Sequence, residues 1–253
     1  MSFTRRRLLE FAALGVGGLA FPRLSWALGE SAKLDVAELK LASGTLQRPR
    51  AWERLLFELI QTTSVEARPE SVALAPDDLA LFDHPIAALI GNGPLPPMSD
   101  AAVEQLSRYL QYGGFLLVDD SSGLSDSAFD ESFRALCRRL FPAKSLSPIS
   151  SDHSIYRTFF LLDAPLGRVD TYPYLEGITL GETTPIVYCR NDLTGALDRR
   201  EDGLDAANCV PGGEWQRRES IKLGINLIMY ALTSNYKKDL AHVRRLQMEG
   251  RIE

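Results

Sequence analysis

Apolar positions in the first half of the chain fall into two alternating rhythms. Leu34 to Leu41 (LDVAELKL) reads as a first strand, ended by Ser43-Gly44. Trp52, Leu55, Leu56, Leu59 and Ile60 then recur on one face at helical spacing. Arg68-Pro69 marks a turn before a short strand, Ser71 to Leu74. Ile86 to Ile90 is an unbroken apolar run that closes on Gly91-Asn92-Gly93, the pattern of a buried strand. Ser99 or Asp100 supplies a cap for the helix that follows, whose core stripe is Val103, Leu106 and Leu110. Gly113-Gly114 stops that helix, and Phe115 to Val118 follows at once as another apolar strand. Phe129, Phe133, Leu136 and Leu140 make a second helical stripe, ended by Pro142.

The second half is less regular. Ser150 to Phe160 mixes polar residues with aromatics, and Tyr172 to Glu176 reads as a turn. Ile178 to Leu180 and Ile186 to Tyr188 are short strands, Arg190 to Gly195 a polar loop, and Ala196-Leu197 the start of a return strand. Asp198 to Gly213 is long, charged and glycine-bearing, so a mobile surface loop is expected. Glu214 to Tyr236 is the last major helix, with Ile221, Ile225, Ile228 and Leu232 as its stripe. Residues 237 to 253 are charged, either a surface helix or a solvated tail, with 241–253 taken as the tail proper.

Strands and helices that alternate with short connections predict an α/β domain. A mainly parallel sheet would be covered by helices on both faces, a three-layer α/β/α sandwich. Strands apolar on both faces agree with that arrangement.

The amino terminus carries a different signal. Thr4, Arg5, Arg6, Arg7, Leu8 and Leu9 resemble the twin-arginine export motif, and a short apolar stretch follows from Phe11 to Phe21. Ser25-Trp26-Ala27 fits a small-x-small cleavage site, so residues 1–27 are expected to be a signal peptide cleaved after Ala27. The partner this implies is the twin-arginine translocase, and the destination is the periplasm, or the inner membrane if the signal stays attached. The apolar run is too short for a comfortable span, and no later stretch is long and apolar enough for one. The domain itself is expected over residues 28–240.

Composition narrows the function further. The chain has 253 residues and a net charge of -5, which argues against a nucleic-acid binder. Three cysteines and three histidines are too few and too scattered for a zinc framework. No cofactor is required by the sequence.

The runs SDAAVEQLSRYLQYGGFLLVDDSSG, SDHSIY, VYCRNDLTG and LGINLIMYALT together resemble the bacterial domain family DUF4159, from about Leu34 to Tyr236. The resemblance implies a flavodoxin-like fold similar to class I glutamine amidotransferases and ThuA-like proteins. It also implies an envelope setting, beside MoxR-type ATPases and von Willebrand A domain proteins, and it implies no established reaction.

In open α/β sheets ligands collect outside the carboxyl ends of the strands. The candidates there are Asn92, Asp119, Asp120, Ser121, Asn191 and Asp192, with Asp152 and His153 brought in from the middle connection. One reading is a cation or sugar site built from those oxygen and nitrogen donors. Another is acid-base work by the paired carboxylates Asp119 and Asp120 with His153. The plainer alternative is that aspartate, asparagine and serine after a strand cap the next helix or close a turn. A cysteine nucleophile of the amidotransferase kind is absent, since Cys189 lies within a strand, and Ser121 or Ser122 lacks a G-x-S-x-G elbow. Two functions follow as expectations. One is an exported module that binds a ligand or a protein partner in an envelope assembly. The other is a metal-assisted or acid-base hydrolase with its site at the carboxyl edge of the sheet.

Overall fold

The computed structural model describes residues 33–248, and from Leu34 onward they belong to one compact unit. The export motif with Arg5 and Arg6, the cleavage position Ala27 and the last residues, 249–253, lie outside the described residues.

Among the described residues the strands form one eight-stranded sheet. In chain order they are β1 (Leu34–Leu39), β2 (Thr45–Leu46), β3 (Ala67–Leu74), β4 (Ile86–Gly91), β5 (Phe115–Asp120), β6 (Ser147–Pro148), β7 (Glu176–Leu180) and β8 (Thr183–Cys189). The helices are α1 (Pro49–Thr62), α2 (Asp100–Gln111), α3 (Ala128–Leu140), the short α4 (Leu193–Leu197) and the long α5 (Gly213–Met248). The spatial order is β3-β1-β4-β5-β8-β7-β6. The first five of these strands run parallel, and β7 and β6 continue the sheet antiparallel. The parallel part has the flavodoxin-like order, with its reversal point between β1 and β4.

Alternation along each strand divides the core into two layers. Val36, Ile86, Ala88, Ile90, Phe115, Leu117 and Val187 face Trp52, Leu55, Leu56 and Leu59 of α1 and Leu223, Leu227 and Ile228 of α5. Ala37, Leu39, Ala87, Leu89, Leu116, Val118 and Ile186 face Val103, Leu106 and Leu110 of α2 and Phe129, Phe133 and Leu136 of α3. The molecule is therefore a three-layer α/β/α sandwich. Ser99 and Ser127 cap α2 and α3 through their hydroxyls, which accept from the amides of Ala102 and Asp130. No helix among the described residues is long and apolar enough to cross a membrane.

Several local expectations are corrected. Arg68-Pro69 lies inside β3 rather than in a turn. It can do so because β3 is an edge strand, where the amide missing from proline costs no ladder bond. Ile60 is 38 % exposed and leaves the α1 stripe. Ala196-Leu197 ends a buried helix instead of starting a strand. The last helix continues past Tyr236 to Met248.

The 198–213 segment is pinned rather than loose. Ala206 N–H donates to Asp198 O and Val210 N–H to Arg168 O, while Arg54 pairs with Asp205 at 2.7 Å. Arg217 of α5, 1 % exposed, donates to the carbonyls of Ala196 and Ala207.

Candidate functional site

The reversal point between β1 and β4 is where this topology would leave a crevice for a ligand. Here the chain fills it with its own backbone. The connection from β1 to α1 doubles back, so that β2 pairs antiparallel with the end of β4, Thr45 with Gly91 and Leu46 with Ile90. Gly44, at φ +75°, lies so close that a Cβ there would come within 2.3 Å of Pro94 O. Asn92, on the neighbouring turn, is exposed.

Strand β5 runs two residues further than the apolar pattern suggested and includes both aspartates. Neighbours on a strand point to opposite faces, so Asp119 and Asp120 do not form a carboxylate pair. Asp119 turns toward the α1, α4 and α5 layer. Its Oδ1 accepts from Leu193 N at 2.8 Å, and its Oδ2 accepts from Thr194 N at 2.7 Å and from the Thr194 hydroxyl. It thus holds the first amides of α4. Asp120 turns toward the α2 and α3 layer. Its Oδ1 accepts from Ser122 N and Oγ, and its Oδ2 from the Ser127 hydroxyl and from Tyr188 OH at 3.2 Å. Because Ser127 in turn caps α3, Asp120 fixes the start of that helix. Ser121 donates through both N and Oγ to Gly91 O.

The second carboxylate near Asp119 is Asp192, just beyond β8. Asp192 adopts a left-handed conformation, φ +54° and ψ +59°, uncommon for a residue with a side chain. Its Oδ1 meets Arg48 Nη1 at 2.6 Å and accepts from Gly195 N at 3.0 Å, and its Oδ2 pairs with Arg168 Nε. Gly195 must lack a side chain, because a Cβ would stand 2.3 Å from the Asp192 carboxylate. Asn191 spends its whole amide on one loop, accepting from Thr171 N and Tyr172 N and donating to Pro165 O and Tyr172 O. Asp119, Asp120, Asn191 and Asp192 are each at most 1 % exposed.

Electrostatics follows from this burial. Burial first, and the Asp192 charge second, push the Asp119 carboxyl up to about 6, against the pull of its bonds from Thr194 and of Arg48. Burial opposes the Arg48 charge, but Asp192 and Asp119 outweigh it and hold that guanidinium above the usual arginine value. Glu38 on β1, 2 % exposed, joins the same layer and accepts from Arg48 N at 2.6 Å and Ser71 Oγ at 2.5 Å. Burial raises its pKa as well. Glu38, Arg48 and Arg168 carry no motif, and their roles depend on partners distant in the sequence. Cys189, fully buried in β8, has its thiol pushed well above the ordinary value by burial and Asp119. A thiolate nucleophile is disfavoured there.

Asp152 and His153 do not join this edge. His153 Nε2 lies 3.2 Å from Thr184 Oγ1, at the start of β8, while Asp119 is paired with Cys189 at its end. The separation along the strand is about 16 Å. His153 Nδ1 accepts from Ile155 N and caps a short 3-10 turn, Ser154–Arg157; burial lowers the ring's pKa. Asp152 is 93 % exposed at its side chain and pairs with Arg157. His84, just before β4, binds Asp35 at the amino-terminal edge, 2.6 Å between Nδ1 and Oδ1. No group of three or more His, Cys, Asp or Glu among the described residues is arranged to hold a metal ion.

The carboxyl edge of the sheet is therefore a sealed structural joint. Its acids hold helix starts and loops, and two arginines bind Asp192 across it. The chain matches the family model described as Domain of unknown function (DUF4159) over residues 35–232 and belongs to that family. A comparison with curated proteins found no match.

Proposed function

We propose that this DUF4159 protein is a non-enzymatic binding module, exported to the periplasm, that engages a partner in a cell-envelope assembly. One observation carries the reading. The carboxylates that an edge-site hydrolase would need are buried and committed, Asp119 to α4 and Asp120 to Ser122, Ser127 and Tyr188. The hydrolase alternative also loses its acid-base pair, since Asp120 and His153 stand at opposite ends of the sheet. The twin-arginine pattern at Thr4 to Leu9 supports export, and the resemblance to envelope-associated relatives supports the setting.

The test has two arms. The purified protein is expected to hydrolyse ester, amide and phosphate-ester substrates no faster than background, and Asp119→Asn and Asp120→Asn are expected to change stability alone. Turnover that either variant abolishes would defeat the non-enzymatic reading. For export, a reporter fused behind residues 1–27 is expected outside the cytoplasm only when the translocase is present, and Arg5→Lys with Arg6→Lys is expected to retain it inside. Export that ignores both changes would defeat that part.

A further inference from the structure

Away from the sealed edge, a groove of about 500 Å³ runs between α1 and the 199–203 turn, beside Pro69 of the edge strand β3. Arg50, Glu53, Arg54, Phe57 and Glu58 line its helix wall. Their spacing is i, i+3, i+4, i+7, i+8, one continuous stripe about 12 Å long. Arg199, Arg200 and Glu201 line the turn wall.

Most of these charges are already matched. Arg50 pairs with Glu201 at 3.3 Å, Arg54 with Asp205 at 2.7 Å, and Arg200 with Asp202 at 2.9 Å. Among the described residues Glu53, Glu58 and Arg199 have no ion pair. The unmatched charges thus have opposite signs on opposite walls, carboxylates on α1 and a guanidinium on the turn. Between the two carboxylates in the helix stripe, Phe57 is 57 % exposed. An exposed aromatic ring beside carboxylates is suited to a cation with an aliphatic stem.

We propose that this groove docks an extended peptide segment of a partner protein in which a lysine or arginine neighbours an aspartate or glutamate. The proposal rests on the binding-module reading and names the chemistry of its partner. An extended chain sends successive side chains to opposite sides, so neighbouring opposite charges reach opposite walls. The basic residue meets Glu53, Phe57 and Glu58, and the acidic one meets Arg199. A stretch of about four extended residues matches the length of the stripe.

Calorimetric titration of the full chain with short blocked peptides tests this. An alternating lysine–glutamate peptide is expected to bind, and all-lysine and all-glutamate peptides about tenfold more weakly. Phe57→Ala and Arg199→Glu alter exposed positions and are expected to keep the native melting temperature. Each is expected to weaken the alternating peptide about threefold to fivefold. No binding, equal binding of the three peptides, or binding unchanged in both variants would overturn the groove assignment. The turnover arm on Asp119 and Asp120 judges the non-enzymatic reading separately.

Discussion

At the scale of single residues, Asp119 is the group whose chemistry departs furthest from what its sequence neighbours suggest. Beside Asp120 it reads as half of a carboxylate pair, yet the second charge it faces is Asp192, 73 positions on by the numbering. Burial and that charge raise its pKa from 3.8 to about 6, so between those values the folded protein holds a proton that the unfolded chain releases. The stability this contributes is fully present below pH 3.8 and is lost as pH rises through 6. Replacing Asp119 by asparagine removes the titration. The stability advantage of the native protein over Asp119→Asn is therefore expected to shrink between pH 4 and pH 7, by an amount on the order of 2 kcal/mol. Urea denaturation of both proteins at several pH values measures it. A gap that stays flat or widens with pH would mean that Arg48 and the α4 amides dominate the carboxylate instead.

Elements whose partners are local were legible in the sequence, and elements fixed from a distance were not. The stripes of α2 and α3 and the apolar runs of β4 and β5 could be read directly, because each face is written at its own period. Residues 190–197 read as loop and strand, since the groups that make α4 a helix sit on β5 and near α1. The segment from Ile155 to Phe160 shows the same dependence. Asn226, inside the apolar stripe of α5 and 0 % exposed, accepts from the amides of Phe159 and Phe160 and donates to the carbonyls of Ile155 and Phe160. Asn226→Leu keeps the branching and heavy-atom count of the side chain and strands those backbone groups. It is expected to cost about 3 kcal/mol and to deprotect the Phe159 and Phe160 amides selectively in hydrogen exchange. Exchange that speeds up equally in β4 and β5 would show that Asn226 serves global packing and does not hold one segment.

At the scale of the whole molecule, the sandwich and its parallel order were visible in the alternation of elements, while the closure of the carboxyl edge was not. Closure depends on arginines that look like ordinary surface charge in the sequence: Arg48 and Arg168 on Asp192, and Arg217 beneath the 198–213 segment. That segment reads as a mobile loop because its composition is polar; its order comes from α5, which the linear pattern does not place against it. Arg217 pairs with Asp205 at 3.3 Å and Glu214 at 2.9 Å in addition to its two carbonyls, at 2 % side-chain exposure. Methionine can replace its aliphatic stem but none of its donors, leaving the carbonyls of Ala196 and Ala207 unpaired. Arg54 still holds Asp205, so the segment is released only in part. Arg217→Met is therefore expected to lower stability by about 2–3 kcal/mol, to deprotect the amides of Ala206 and Val210, and to speed tryptic cleavage after Arg199 and Arg200. Because the 199–203 turn forms one wall of the groove, the same variant is expected to weaken the alternating peptide without touching any groove residue. If cleavage and peptide binding both stay at native levels, the turn is held by Arg54 and its own hairpin contacts, and the groove is independent of α5.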